Sequence, residues 1–171
     1  MFAVVITGAP GAGKTTYLTA LSDALVDDDV AHAVIDTDDV SWAYPFPDLE
    51  ARVTYIRRAS EAHRELGYGD VLLLGEVVES RDHLARLLEA VGADDHLLVR
   101  LTAPYMLLRQ RIFEREPVEW SGTGHLMAET KRWVRTIDEL DRAHLTVDTV
   151  RTSPSQAAPL IRAERPDKLA G

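Results

Sequence analysis

Short apolar runs alternate with longer amphipathic stretches along most of this 171-residue chain. The runs are Ala3 to Ile6, His32 to Ile35, Val71 to Leu74, Leu97 to Leu101 and Leu145 to Val147. Each has the length and the near-continuous apolar character of a strand buried on both faces. Between them the apolar positions recur every three or four residues, which predicts helices. Leu18, Leu21 and Leu25 mark a helix from about Lys14 to Val26, ended by the solvated turn Asp27-Asp28-Asp29. Pro45 and Pro47 break the segment after the second run. Asp48 then caps a helix to about Leu66, stopped by Gly67 and Gly69. Ser80 caps another to about Val91, with Leu84, Leu87, Leu88 and Val91 inward. Pro104 opens a helix to about Glu116, and 117–124 is a loop. A further helix covers roughly His125 to Ala143. Ser153 opens the last, to about Ala163, and the tail from Arg165 is expected to fray.

Strict alternation of strand and helix predicts a parallel sheet with helices on both faces. Ligands of such sheets sit at the C-terminal ends of the strands. The residues with chemistry to offer fall at those ends: a glycine loop after the first strand, Asp36-Thr37-Asp38-Asp39 after the second and Glu76 after the third. A chain this long holds one domain, taken as 1–164. Its 46% apolar and 27% charged residues are an ordinary globular balance.

The formal net charge of -9 argues against general binding to nucleic acid, while leaving room for local sites for a small anion. The chain has no cysteine, which excludes thiolate zinc sites and thiol nucleophiles and is compatible with a reducing compartment. The N-terminal residues carry neither a basic leader nor a long apolar stretch, so a cytoplasmic protein without a membrane span is expected.

Gly8-Ala9-Pro10-Gly11-Ala12-Gly13-Lys14-Thr15 matches G-x-x-x-x-G-K-[ST] in full, between a predicted strand and a predicted helix. Glycines let successive N–H groups curl inward onto phosphate oxygens. The helix that comes next adds the positive end of its dipole. Lys14 supplies a mobile charge for the β- and γ-phosphates, Thr15 offers a hydroxyl to magnesium, and Thr16 continues the helix N-terminus at the phosphates. The expected ligands are therefore ATP and Mg2+.

Gly8, Gly11 and Gly13 give the G-x-x-G-x-G-K-T variant, in which the chain resembles the small-molecule kinases: shikimate, gluconate and adenylylsulfate kinases and chloramphenicol phosphotransferase. That resemblance implies a three-layer α/β/α P-loop NTPase fold. Its five-stranded parallel sheet would run in the order 2-3-1-4-5, with a short lid at about 116–126. It also implies roles. Asp36 would lie near the metal and Asp38, with Asp39 as its rival, near the acceptor hydroxyl as a base. Chloramphenicol phosphotransferase carries an Asp pair at the end of strand three. This chain has Gly75-Glu76 there, so Glu76 either associates with metal or binds a hydroxyl or amine of the substrate.

Arg111 and Arg115, four apart on one helix face, would contact ATP and stabilise charge on the moving phosphoryl group. Arg109 lies on another face. Lys131, Arg132 and Arg135 beyond the lid are alternatives, and Gly122 and Gly124 would give the lid its hinge freedom. The acceptor would meet the segment from Trp42 to Arg64. That segment offers Trp42, Tyr44, Phe46 and Tyr55 for stacking and Arg57, Arg58 and Arg64 for an anion. Thr149 to Ser153 would wall the adenine.

The expected activity is ATP-dependent phosphorylation of a hydroxyl on a small molecule. A nucleotide-dependent switch protein and a nucleoside monophosphate kinase are the competing readings. A GTPase is disfavoured because no guanine-reading N-K-x-D occurs and the fourth strand ends in Leu101-Thr102-Ala103-Pro104.

Overall fold

In the computed structural model the described residues are 1–40, 47–116, 122–139 and 143–169. Five strands, β1 (Phe2–Thr7), β2 (Ala33–Asp36), β3 (Val71–Gly75), β4 (Asp95–Thr102) and β5 (Leu145–Asp148), form one sheet. Its order is β2-β3-β1-β4-β5, with every neighbouring pair parallel. The expected three-layer P-loop architecture is therefore the observed one. Helices α1 (Lys14–Asp27), α2 (Thr37–Val40), α3 (Leu49–Glu65), α4 (Arg81–Val91), α5 (Tyr105–Arg115), α6 (Thr123–Glu139), α7 (Pro154–Glu164) and α8 (Pro166–Leu169) complete it.

The connection from β1 to β2 runs across the sheet in one direction and every later one runs in the other. Right-handed crossovers then put α1 on one face and α3 to α6 on the opposite face. α7 returns after β5 to pack on α1. All six residues of β1 and all five of β3 are buried, as the uninterrupted apolar runs require. Leu18, Leu21 and Leu25 of α1 are buried against them. On the other face Val53, Ile56, Leu87 and Val91 close the second half of the core. Leu84 and Leu88, expected inward with them, are only half-buried at the edge of that stripe.

The expected caps are in place. Asp48 accepts from the Ala51 N–H at 2.9 Å. Ser80 accepts from the His83 N–H at 3.1 Å. Ser153 and Gln156 make a reciprocal capping box at the start of α7. Asp36 ends β2 and α2 begins at Thr37, with Asp36 Oδ1 accepting from the Asp38 N–H at 3.2 Å. One segment differs from expectation.

The tail after Arg165 does not fray before Leu169. Leu169 is fully buried, and its carbonyl accepts from Arg162 Nε at 2.9 Å. Arg165 pairs with Asp95 at 2.6 Å while its guanidinium lies over the Phe2 ring. One apolar anchor and an arginine clamp hold a segment whose own sequence is too polar to announce a helix. Among the described residues no helix is long and apolar enough to cross a membrane.

Candidate active site

The loop after β1 is built for close approach. The Ala12 N–H donates back to the Ala9 carbonyl at 3.0 Å, and Gly11 and Gly13 take φ of 81° and 97°. Gly13 is the N-cap of α1 and has no side chain to occupy the first-turn N–H groups, which leaves them for an anion. α5 presses on the loop from above: a Cβ on Gly11 would stand 2.7 Å from the Leu108 carbonyl oxygen. Gly11→Ala therefore combines left-handed strain with a backbone clash. It should cost about 1–3 kcal/mol in chemical denaturation and weaken nucleotide binding with it. Unchanged stability would mean that α5 does not seat on this loop.

Lys14 is buried, and its Nζ turns back over the loop toward the Gly8 carbonyl at 3.4 Å. Thr15 Oγ1 donates to Asp36 Oδ2 at 2.5 Å, so the first turn of α1 and the end of β2 meet at one point. Hydroxyl and carboxylate oxygens are the donors a hard cation takes, and magnesium characteristically uses one or two carboxylates together with substrate phosphates. Thr15 and Asp36 fit that description. Among the described residues no group of three or more His, Asp or Glu stands together to hold an ion unaided, so phosphate oxygens would have to complete the shell.

Glu76 is placed by backbone. Its N–H donates to the Ile6 carbonyl at 3.2 Å, and the Val78 N–H donates to Thr7 Oγ1 at 2.9 Å, which fastens the β3–α4 connection to the end of β1. The carboxyl is 1% exposed. Oε1 accepts from Arg52 Nη1 at 3.0 Å and from the Val77 N–H at 2.8 Å. Among the described residues buried Oε2 has no hydrogen-bond partner. The Thr37 hydroxyl donates to the Gly75 carbonyl at 2.9 Å and, lying beside the carboxyl, favours its ionised form. Burial pushes the Glu76 carboxyl above the usual carboxylate range, against the pull of Arg52, the Val77 N–H, Lys14 and Thr37.

Arg52 is the residue that sequence reasoning passed over. It reaches Glu76 and, at 3.8 Å, Glu79. A signal for it exists: Leu49, Arg52, Val53 and Ile56 share one stripe of α3, so Arg52 is a cation on the inward face, where an acid must answer it. His83 joins the same cluster from α4. Its Nδ1 accepts from the Glu79 N–H at 3.1 Å, and burial together with Arg52 lowers its pKa to about 4.

Arg111 does meet the loop. Nη1 donates to the Gly11 carbonyl at 3.4 Å and to Thr149 Oγ1 at 3.0 Å, and Nη2 donates to the Thr149 carbonyl at 3.3 Å. Tyr17 of α1 donates to the Thr152 carbonyl at 2.5 Å, so the loop after β5 is tied to the phosphate loop from both sides. Arg115 instead pairs with its neighbour Glu116 and is exposed.

Arg57 is exposed on α3, about 140° around the helix from Arg52. Arg58 pairs with Glu61, and Tyr55 is exposed. Asp38 is exposed on α2, two residues from the Asp36 that meets Thr15. Lys131 and Arg135 are exposed on α6, and Arg132 lies over the Trp133 ring. Trp42, Tyr44 and Phe46 lie outside the described residues, as do the side chain of Asp39 and much of the expected lid. A cavity of about 240 Å³ opens on the other side of the loop, between Ala9, Thr102, Pro104, Leu108, Val134 and Asp148. Lys14, Asp36 and Glu76 do not line it.

A parallel sheet in this order, with a glycine loop at the N-terminus of α1 and carboxylates at the ends of β2 and β3, defines a P-loop domain. Solved structures with the same fold include a sugar kinase from a Janibacter species, at 18% identity and a TM-score of 0.66 over 98% of this chain and 95% of that one. They also include the adenylylsulfate kinase of Mycobacterium tuberculosis in complex with AMPPNP and adenylylsulfate, at 17% identity, a TM-score of 0.64 and 95% of each chain. Shikimate kinase from Acinetobacter baumannii, in complex with shikimate, matches at 20% identity and a TM-score of 0.59 over 98% of this chain and 94% of that one. The chain thus resembles small-molecule P-loop kinases in fold over 95–98% of its length. No protein-family model matches its sequence, and no curated protein matches it.

Proposed function

We propose that this protein transfers the γ-phosphoryl group of ATP to a hydroxyl of a small molecule, with magnesium. The observation that carries the reading is the convergence at one mouth of the Gly8–Thr15 loop, buried Lys14, the Thr15–Asp36 contact and Glu76. The fold shared with kinases whose structures hold AMPPNP, adenylylsulfate or shikimate supports it.

The N–H groups of the loop and of the first turn of α1 take the phosphate oxygens, and Lys14 bridges the terminal pair. Thr15 and Asp36 would hold magnesium, which when bound neutralises charge developing between the β- and γ-phosphates. The acceptor oxygen forms a bond to the γ-phosphorus as the bridging oxygen departs with ADP. The hydroxyl proton passes to a carboxylate, a role for which Asp38, exposed on α2 beside Asp36, is the candidate. Arg111 steadies the nucleotide end by joining the loop to Thr149.

The test is ADP release with and without a panel of hydroxylated acceptors. Stimulation by an acceptor supports transfer, whereas slow ATP loss indifferent to every acceptor points to a switch. In Asp38→Asn, kcat should fall by about 10²–10⁴-fold while ATP affinity stays within a few-fold. Equal losses in both would assign Asp38 to the metal or to the fold.

A further inference from the structure

We propose that the acceptor carries a positive charge, as an amino alcohol or amino sugar does. This rests on the kinase reading above and specifies its substrate class.

The argument is the commitment of the charges on the β2–β3 side of the loop. Lys14 belongs to the phosphates. Arg52 is the cation that α3 brings to Glu76, and it is held at 3.0 Å by Glu76 and at 3.8 Å by Glu79. The other arginines of α3 look elsewhere: Arg57 is exposed, Arg58 pairs with Glu61, and Arg64 lies against Gly92. A carboxylate or phosphate on the acceptor would have to take Arg52 from two acids already in the fold. It would also meet Glu76 and Glu79 together, even with Asp36 given over to magnesium. Like charges brought together beside the buried Glu76 carboxyl repel strongly.

A second observation points the same way. Glu76 Oε2 is buried and has no hydrogen-bond partner among the described residues, so what it needs is a donor. An ammonium brings three, a hydroxyl one and a carboxylate none. Burial of the Glu76 carboxyl, which by itself disfavours its ionised form, is what a neighbouring cation would offset.

The experiment uses isotope-labelled full-length protein saturated with Mg·ADP and titrated with two matched hydroxyl compounds, ethanolamine and glycolate. The readout is the amide shifts of Thr37 and Val77. Ethanolamine should reach half of its effect at a concentration at least about tenfold below glycolate, the factor that separates attraction from repulsion at short range in a partly screened site. In Glu79→Gln, a change at a third-exposed side chain, Arg52 loses one of its two acids and the gap should narrow. A glycolate response equal to or stronger than that of ethanolamine, or no response to ethanolamine at those amides, overturns the proposal. The kinase reading fails separately, by absence of shifts at the Gly8–Thr15 amides when Mg·ADP is added.

Discussion

Lys14→Ala should lower kcat by at least about 10²–10³-fold while leaving the protein folded. The reason lies in what Lys14 touches. Among the described residues its Nζ makes one long hydrogen bond, 3.4 Å to the Gly8 carbonyl, and it lies near enough to Glu76 to favour its ionised form. Neither contact holds an element in place. The sheet, the α1 stripe and the glycine turn are all made without it. The chief structural cost is the space left by a buried aliphatic stem. Lys14→Met fills that space and should therefore sit within about 1 kcal/mol of wild type in denaturation, with the same loss of rate. Lys14→Arg should not restore activity, because a loop curled around phosphate suits a compact ammonium better than a planar fork. Wild-type turnover in the Ala and Met variants would remove the phosphate loop from the mechanism. Loss of rate together with loss of folding in both would show that Lys14 is structural instead.

How much of this was legible in the sequence depends on the range over which each feature is decided. The strands and most helix starts are local matters. Buried strands read as apolar runs, and Asp48, Ser80 and Ser153 act within three residues of themselves. The phosphate loop is local too, since one contiguous octapeptide supplies the turn, the helix start and the lysine. The partners of the remaining site residues are not local. Arg52 and Glu76 are 24 residues apart, and Arg111 reaches Gly11 across 100. Helical spacing puts Arg111 and Arg115 on one face, yet the neighbouring Glu116 holds Arg115 away, a one-residue contact that face geometry cannot foresee. In sequence the basic residues of α3 form a pool for an anionic acceptor. The structure separates them into Arg52, which points inward, and Arg57 and Arg58, which do not. What distinguishes them is their angle from Val53 and Ile56, and that can be read only once the inward face is fixed. The C-terminal tail shows the same limit: Leu169 gives no local signal and is ordered by a pocket built elsewhere.

Arg52→Ala should destabilise the protein by about 2–3 kcal/mol near neutral pH, below the roughly 3–5 kcal/mol that removing one partner of a fully buried pair costs. The discount has two causes. Arg52 itself is 23% exposed, and Glu76 can escape an unpaired charge by taking up a proton. That escape fixes the pH dependence. Glu76 has a folded-state pKa above its ordinary value of 4.5. Between that value and the folded one the native state holds more protons than the unfolded chain, so its contribution to stability falls as pH rises and is lost above the folded pKa. Deleting Arg52 removes the largest influence opposing burial, raises that pKa further and deepens the neutral-pH penalty.

The deficit of Arg52→Ala should therefore shrink steadily as pH is lowered from 7 toward 4.5. His83 contributes in the same direction. Its folded pKa of about 4 lies below the ordinary 6.5, so it favours the native state above 6.5 and ceases to do so as pH falls through 4. Arg52 is part of what holds it down, and without Arg52 that acid loss is smaller. Repeating Arg52→Ala in a Glu76→Gln background separates the two. Gln keeps the shape but cannot ionise, so the remaining pH dependence belongs to His83, and the neutral-pH cost should fall to about 1 kcal/mol. A deficit independent of pH in the native background, or an equal one in the Gln background, would mean that the Arg52–Glu76 contact is not an ion pair in solution. The charge argument for the acceptor would then lose its starting point.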